Sequence, residues 1–297
     1  MIASSASPRR VGVIRDYVAL TKPRIISLLL VTALGGMYLA AGGSPDVRTV
    51  LLVLAAGTLA SGGAHALNHY LERDLDSKMR RTSRRPVAGG RVSPRDALIF
   101  GLALNAIAFA MLVTLVNPIS AVLTMAATAV YVFVYTIGLK RRTPQNIVIG
   151  GAAGAFPPMI GWAAITGSVD LPALYLFAIV FFWTPPHFWA LALLIKDDYE
   201  KAQIPMLPVV TGVGETKRQI FLYSILLLVL TLLFYFTGAV GWVYLASAAV
   251  LGGWFVYKAA ALRGKEGMDG VKGTYLYSLL YLALLYGAIM ADSIVGI

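Results

Sequence analysis

The sequence from Val50 to Arg91, VLLVLAAGTLASGGAHALNHYLERDLDSKMRRTSRRPVAGGR, changes abruptly from apolar to charged. Residues 50–67 contain no Lys, Arg, Asp or Glu and approach the length of about 20 residues that a membrane-spanning helix needs. Asn68, Glu72 and Asp76 follow at i, i+4 and i+8, so on a continuous helix they lie along one face. The pattern predicts a membrane helix that ends in a polar site.

Comparable apolar runs recur along the whole chain, and only 13% of its residues are charged, against about a quarter in soluble domains. The sequence therefore predicts an all-α, polytopic membrane protein with one domain over residues 1–297, of which 1–24 form an amino-terminal cytoplasmic segment. The nine predicted spans are 25–42, 50–67, 97–116, 119–138, 147–166, 173–195, 219–237, 242–261 and 274–293.

With these spans, 24 of the 25 Lys and Arg residues fall on one side, and Arg48 alone falls on the other. Positive loops remain cytoplasmic, so we expect the amino terminus inside and the carboxyl terminus outside. The net charge of +11 thus reflects topology and contact with membrane lipid, and we expect no nucleic-acid partner. Residues 1–24 lack the apolar core of a cleaved signal peptide and the length of an organelle transit segment, which favours a bacterial or archaeal inner membrane over the mitochondrial one.

Two interpretations compete for Asn68, Glu72 and Asp76. In the first, they belong to a solvated loop whose basic residues contact anionic lipid. In the second, they bind a hard cation such as Mg²⁺ through oxygen ligands, and the cations downstream bind a phosphate-rich ligand. Polar side chains at the mouth of a membrane helix are costly, which favours the second. The downstream cations are Arg73, Lys78, Arg80, Arg81, Arg84, Arg85 and Arg91.

A second acidic segment, LLIKDDYEKAQIPMLPVV over residues 193–210, follows the sixth predicted span. Asp197 can form a helix-end ion pair with Lys201, or Asp197 and Asp198 can complete a two-sided metal clamp. Pro205 and Pro208 predict a loop or a short helix after Lys201. Because both acidic segments end an apolar helix four spans apart, they suggest a repeated four-helix unit.

Aromatic and histidine residues supply further candidates. Tyr131 and Tyr135 lie one helical turn apart before Lys140 and Arg141, which is typical either of an interfacial aromatic belt or of rings beside a carbocation. His187, in FFWTPPHFWALAL, is either a packing residue or a contact of a haem-type ligand. The chain has no cysteine, which excludes disulfides, thiolate catalysis and iron–sulfur clusters.

These segments resemble the intramembrane prenyltransferase superfamily, which includes the enzymes that prenylate ubiquinone, menaquinone and chlorophyll precursors. That superfamily carries Asn-x-x-x-Asp-x-x-x-Asp after its second helix, and here Asn68, Glu72 and Asp76 stand at those positions, followed by Arg81-Thr82 and Arg85-Pro86. The strings PPMIGW, PPHFWALAL and DYEKAQIPMLPV resemble its haem-farnesylating branch. Two departures are Glu72 in place of the first aspartate and Ala202 in place of a second one after Asp198.

The resemblance implies about nine helices around a central cavity, with farnesyl diphosphate, haem b and Mg²⁺ as substrates and cofactor. A farnesyl group would pass to a haem vinyl group with addition of water, and the product would go to a haem A synthase or a terminal oxidase assembly. The alternatives are transfer to another acceptor, such as 4-hydroxybenzoate or a chlorophyllide, an ion-coupled transporter, or a haem-delivery factor.

The implied residue roles fall into four sets. The catalytic set is Asn68, Glu72, Asp76, Asp198 and Tyr135; the metal set is Asn68, Glu72, Asp76, Asp197 and Asp198; the diphosphate set is Lys78, Arg81, Lys140 and Arg141; and His187 is the haem contact. Between the two adjacent aspartates, Asp198 is the preferred metal ligand.

Overall fold

The computed structural model describes residues 8–296, which contain helices and connections but no strand. Residues 1–7 of the predicted amino-terminal segment and Ile297 lie outside this range. The helices are α1 (Pro8–Thr21), α2 (Pro23–Ala41), α3 (Val47–Leu71), α4 (Arg73–Lys78), α5 (Pro94–Leu115), α6 (Pro118–Ala129) with its π-helical continuation (Val130–Leu139), α7 (Asn146–Gly150), α8 (Ala152–Thr166), α9 (Leu171–Leu194), α10 (Lys196–Lys201), α11 (Leu207–Val210), α12 (Gly212–Tyr235), α13 (Trp242–Arg263) and α14 (Val271–Val295).

Eight helical runs in the described range are long and apolar enough to cross a membrane. A ninth candidate is the bent pair Gly12–Thr21 and Ile25–Ala41, whose two parts meet at 48°. Each of the nine predicted spans therefore lies on a helix, and the all-α, multi-pass architecture is confirmed. Large apolar side chains such as Val122, Phe133 and Val250 are exposed on the outside of the bundle, where lipid would cover them.

Helix α1 lies in the predicted amino-terminal segment, for which the sequence analysis assigned no secondary structure. Leu20 is fully buried and Tyr17 packs edge-on against Phe100 at 5.0 Å between ring centroids. Val13 and Ile14, in contrast, are exposed. A helix with one docked side and one exposed apolar side is typical of an interfacial amphipathic helix.

The acidic segment after the second span also differs from the continuous helix that was expected. Helix α3 ends at Leu71, and Glu72 is its C-cap, with φ −102° and ψ 13°, before α4 begins at Arg73. The backbone N–H of Glu72 still donates to Asn68 O at 2.9 Å, and that of Asp76 donates to Glu72 O at 2.8 Å. The interruption is therefore small, and the spacing of the three side chains survives it.

The second acidic segment repeats this arrangement. Helix α9 ends at Leu194, the short helix α10 follows, and α11 comes after Pro205, as the prolines predicted. Leu75 and Met79 share an apolar cluster with Tyr199, Ile204 and Met206. The two acidic segments, which were expected to converge, therefore contribute side chains to one apolar cluster of the bundle.

Helices α2 and α8 approach each other backbone to backbone. A methyl group at Gly36 would overlap the carbonyl oxygen of Pro158, and one at Gly161 would overlap the carbonyl oxygen of Ala33. Small residues at such contacts let membrane helices pack closely. This contact fixes α2, whose first residues lie next to the site described below.

We expect Gly36→Ala to lower the free energy of unfolding by about 1–3 kcal/mol, because the added methyl group forces two backbones apart. The matched control is Gly253→Ala in α13, where a Cβ atom meets nothing within 4 Å. Thermal unfolding of the purified protein in detergent measures both. Equal melting temperatures for the two variants would contradict the proposed close packing.

Candidate functional site

The side chains of Asn68, Glu72 and Asp76, called the acidic motif below, lie deep at the end of α3 and in α4. Their exposed fractions are 2%, 1% and 1%. This burial excludes the solvated-loop interpretation for these three residues. Buried carboxylates need a counter-charge, because desolvation without one is costly.

Two cations supply that counter-charge to the carboxylates. Lys140 Nζ donates to Glu72 Oε2 at 2.6 Å, and Arg85 Nη1 donates to both carboxylate oxygens of Asp76, at 2.8 and 2.9 Å. Lys140 was predicted as a diphosphate ligand from its position after the fourth span. Arg85 belongs to the Arg85-Pro86 pair that resembles the superfamily, but the sequence analysis assigned it no role.

Lys22 is a third cation at the acidic motif, and no pattern in the sequence pointed to it. Its Nζ donates to Asn68 Oδ1 at 3.1 Å. It connects α1 to α2 with a left-handed backbone, φ 51° and ψ 59°, which residues with a Cβ rarely adopt. Backbone strain of this kind persists only where the surrounding structure holds a residue in place, as it does for Lys22 beside the acidic motif.

The surroundings of Glu72 keep its carboxyl group ionised. Burial raises its pKa, but the charge and hydrogen bond of Lys140, the charge of Lys22 and the amide of Asn68 together hold the pKa below its ordinary value. The acidic motif therefore offers ionised oxygen, the donor type that Mg²⁺ prefers.

The second acidic pair reaches the same region through Tyr199. Burial raises the pKa of Tyr199; the charge of Arg81 opposes this, and the carboxylates of Glu72 and Asp198 raise the pKa further. The hydroxyl thus lies within electrostatic reach of both acidic segments. Asp198 is half-buried and Asp197 is exposed, which agrees with the preference for Asp198 as the inner residue.

In the described range, no three His, Asp or Glu side chains are close enough together to hold a metal ion. The predicted ligand set of Asn68, Glu72, Asp76, Asp197 and Asp198 is thus not assembled around one point. Its donors are nevertheless carboxylate and amide oxygens, which fit a hard cation. The metal assignment stays a prediction.

The predicted diphosphate ligands divide into two groups. Lys140 reaches the acidic motif directly, and exposed Arg81 acts on Tyr199. Arg141 instead makes an exposed two-pronged pair with Asp74, with both nitrogen–oxygen distances at 2.8 Å, and its hydrogen bonds lower the pKa of the Asp74 carboxyl. Lys78 is exposed at the end of α4.

The π-helical segment explains how Tyr135 and Lys140 reach the site. Thr136 donates to Tyr131 O at 2.9 Å, and its hydroxyl oxygen accepts from Asn68 Nδ2 at 3.4 Å. The rings of Tyr131 and Tyr135 stack at 5.8 Å, and Lys140 Nζ lies 5.8 Å from the Tyr135 ring. π-Helical turns are frequent at functional sites. Tyr135 is thus next to the acidic motif, and its catalytic role stays a prediction.

His187 lies in a packed aromatic stack. Its ring is 4.3 Å from Trp183 and 5.1 Å from Tyr275, both nearly parallel, and Nδ1 is 2.7 Å from Ser278 Oγ. These contacts agree with the packing interpretation. The haem contact predicted for His187 is not tested by them.

A cavity of about 890 Å³ opens beside the acidic motif, between α1, the start of α2 and the segment after α4. We call it the basic cavity, because six of its lining residues are Lys or Arg and one is acidic. The lining residues are Gly12, Arg15, Asp16, Ala19, Lys22, Pro23, Ile25, His69, Arg81, Arg84, Arg85, Pro86 and Arg91. The central cavity that the resemblance implies stays a prediction.

Residues 29–282 match the model of the UbiA prenyltransferase family. The chain is 50% identical over 284 residues to a protein named protoheme IX farnesyltransferase from Roseiflexus sp. strain RS-1, covering 96% of this chain and 53% of that one. It is also 50% identical over 282 residues to the protein of the same name from Symbiobacterium thermophilum, covering 94% of each. The chain thus spans about half the length of the first relative and nearly all of the second.

Solved structures show the same fold at low identity. A UbiA homologue from Aeropyrum pernix K1 superposes with a TM-score of 0.73 at 20% identity, covering 90% of this chain and 97% of that one. One from Archaeoglobus fulgidus, solved with GPP and Mg²⁺, superposes with a TM-score of 0.64 at 15% identity, covering 93% and 99%.

The buried pair of Glu72 and Lys140 leads to a stability prediction. We expect Lys140→Met to cost about 3–5 kcal/mol of unfolding free energy, because it leaves a buried carboxylate without its partner. Adding Glu72→Gln should recover part of that loss. Thermal unfolding in detergent measures both variants.

The control for this prediction is Arg141→Met, which breaks the exposed pair with Asp74. Exposed pairs contribute about 0–1 kcal/mol, so its melting temperature should stay near that of the unmodified protein. A Lys140→Met variant as stable as Arg141→Met would show that the buried pair does not matter for folding.

Proposed function

Because the chain belongs to the UbiA prenyltransferase family, we propose that it transfers a farnesyl group from farnesyl diphosphate to a vinyl group of haem b. The observation that carries this proposal is the acidic motif, buried at the end of a membrane helix and surrounded by cations. The two relatives named protoheme IX farnesyltransferase, each 50% identical to this chain, support the choice of substrates.

Asn68, Glu72, Asp76 and Asp198 are the residues that would hold Mg²⁺, with Asp197 beside them. When bound there, Mg²⁺ supplies positive charge to the diphosphate as it departs. Support for this choice of residues comes from their oxygen chemistry and from the apolar cluster that the two acidic segments share.

The cations of the site stabilise the same developing charge. Lys140, with Lys22 and Arg85, already lies on the oxygens of the acidic motif, and Arg81 faces the basic cavity beside it. Lys78 and Arg141 add positive charge farther out. Positively charged groups that are positioned in advance lower the barrier for departure of an anion, because they need little reorganisation.

Departure of the diphosphate leaves an allylic farnesyl cation. The π-faces of Tyr131 and Tyr135, beside Glu72 and Lys140, are suited to stabilise it. The haem vinyl group then attacks the farnesyl carbon and itself becomes a cation, to which water adds with loss of a proton. The product carries a hydroxyethylfarnesyl group. Apolar helix surfaces hold the prenyl tail and keep water away until attack.

The proposal includes the cellular setting. The site faces the cytoplasm in the inner membrane of a bacterium or archaeon, because the basic loops lie at the same end as the acidic motif. Haem b and farnesyl diphosphate enter there with membrane lipid around the bundle. The product passes to a haem A synthase or to a terminal oxidase assembly.

Membranes containing the protein, incubated with haem b, farnesyl diphosphate and Mg²⁺, should release pyrophosphate and form farnesylated haem, detected by mass spectrometry. Chelation with EDTA should stop both. Product from 4-hydroxybenzoate or a chlorophyllide in place of haem would identify another acceptor. Haem binding without pyrophosphate release would indicate a haem-delivery factor. Ion transport without pyrophosphate release would indicate an ion-coupled transporter.

Asp76→Asn should lower the turnover at least about 100-fold while the protein remains folded, because metal-assisted charge stabilisation contributes several kcal/mol. The matched control is Asp96→Asn, since Asp96 is an exposed carboxylate in the first turn of α5. The same assay measures both. Full activity of the Asp76 variant would remove the metal site from the proposal.

The two adjacent aspartates give a separate prediction. Asp198→Asn should lower turnover at least about 10-fold more than Asp197→Asn, because Asp198 is half-buried beside Tyr199 whereas Asp197 is exposed. Titration of activity with Mg²⁺ should also show a weaker apparent affinity for the Asp198 variant. The reverse order would assign the inner ligand to Asp197.

A further inference from the structure

The basic cavity contains positive charge that the proposed chemistry does not use. Lys22 and Arg85 bind the acidic motif, and Arg91 Nε is paired with Asp16 Oδ1 at 2.9 Å. Arg15 and Arg84 are exposed and have no carboxylate partner within the described part of the chain.

These two arginines line the basic cavity, and neither is among the cations that bond the acidic motif. Arg15 belongs to α1, and Arg91 Nη2 donates to the carbonyl oxygen of Arg84 at 3.0 Å while its Nε holds Asp16 of α1. Lys22 and Arg85 line the same cavity, and each bonds a residue of the acidic motif. A ligand that fills the cavity therefore meets these two cations, called the motif side, as well as Arg15 and Arg84, called the arginine side.

His69 also lines the basic cavity. Its side chain is 2% exposed, and neither ring nitrogen has a hydrogen-bond partner among the described residues. Leaving a buried polar group unpaired costs about 1–3 kcal/mol. Both nitrogens are shielded from the cavity, so a bound molecule would reach them only after the ring has moved.

The rest of the lining is apolar. Ala19, Pro23, Ile25 and Pro86 contribute hydrocarbon surface, and the exposed apolar side of α1 continues toward lipid. The cavity volume of about 890 Å³ lies within the range of about 300–1,000 Å³ typical of small-molecule sites. The occupant must combine an apolar body with negative charge at one edge.

We propose that the basic cavity is the acceptor site, in which Arg15 and Arg84 bind the two propionate carboxylates of haem b. This assignment rests on the function proposed above. Haem b has an apolar macrocycle with both carboxylates on one edge and its vinyl groups away from that edge. Propionates held by the two arginines therefore turn the vinyl-bearing part of the ring toward the acidic motif.

Two features favour haem over the diphosphate as occupant of the arginine side. Lys22, Arg81 and Arg85 line both the basic cavity and the proposed diphosphate site, but Glu72 and Lys140 do not line the cavity, whereas apolar residues do. The guanidinium fork also matches a carboxylate with two parallel hydrogen bonds.

The test is steady-state kinetics of Arg15→Gln, Arg84→Gln and the double variant with haem b and with its dimethyl ester, in which the propionates are uncharged. The double variant should raise the KM for haem b about 10-fold, the effect of losing a charge-assisted contact. The KM for farnesyl diphosphate should stay unchanged. The ester should show a raised KM with the unmodified protein and no further rise with the double variant.

Arg95→Gln, an exposed cytoplasmic arginine outside the cavity, is the matched control and should behave as the unmodified protein. Arg84→Lys should recover part of the affinity. Melting temperatures confirm that the variants are folded. If the double variant does not fold, the same kinetic comparison is made with the two single variants.

Three results overturn the proposal. A raised KM for farnesyl diphosphate would assign the arginines to the diphosphate. An equal loss with haem b and with its ester would show that they do not bind propionates. A loss that disappears in phosphatidylcholine vesicles without anionic lipid would assign them to a lipid phosphate.

A binding measurement separates this inference from the proposed reaction. Haem titration followed by absorbance, without farnesyl diphosphate, should show weaker binding by the double variant. Normal haem binding by the unmodified protein without farnesylated product would refute the reaction alone, and unchanged binding by the double variant would refute the acceptor site alone.

Discussion

The structure depends on two buried carboxylates that need positive charge beside them. Glu72 and Asp76 are almost fully shielded from solvent, so Lys140 and Arg85 must reach them from segments far away in the sequence or across a loop. This electrostatic requirement draws the end of α3, the end of the π-helical segment and the chain after α4 to one point. The same carboxylate oxygens and cations are the groups that would bind a metal ion and a departing diphosphate.

The regularity of the bundle changes from one end to the other. At the end that carries the acidic motif, α3 is interrupted at Glu72, α9 is followed by short helices, and the fourth span changes to π-helical geometry. Each of these irregularities lies beside a polar side chain of the site. Backbone hydrogen bonds continue through the interruptions, so no backbone group there is left unpaired in lipid. The opposite end has no comparable interruption among the described spans. Departures from ideal helix are therefore concentrated where the chemistry is proposed.

The sequence predicted the spans because lipid imposes one length and one polarity on every crossing helix. It also selected the acidic motif, since carboxylates at a membrane-helix end stand out against apolar surroundings. It missed the helical state of α1, whose composition is polar, and the roles of Lys22 and Arg85. Those pairings join residues brought together only by packing, so spacing along the chain does not reveal them. The π-helical geometry of residues 130–139 was not predicted either, because the same residues also fit an ordinary α-helix.

The close contact of α2 with α8 has a mechanical consequence. Backbones that touch at Gly36 and Gly161 leave no room for sliding, so the two helices move as one body. Lys22 stands at the start of that body, and Lys140 belongs to the chain that leads into it, whereas Asn68 and Glu72 belong to α3 and its cap. A helix anchored in this way keeps Lys22 Nζ within hydrogen-bond distance of Asn68 Oδ1, at 3.1 Å, so a glycine contact within the bundle supports the geometry of the polar site.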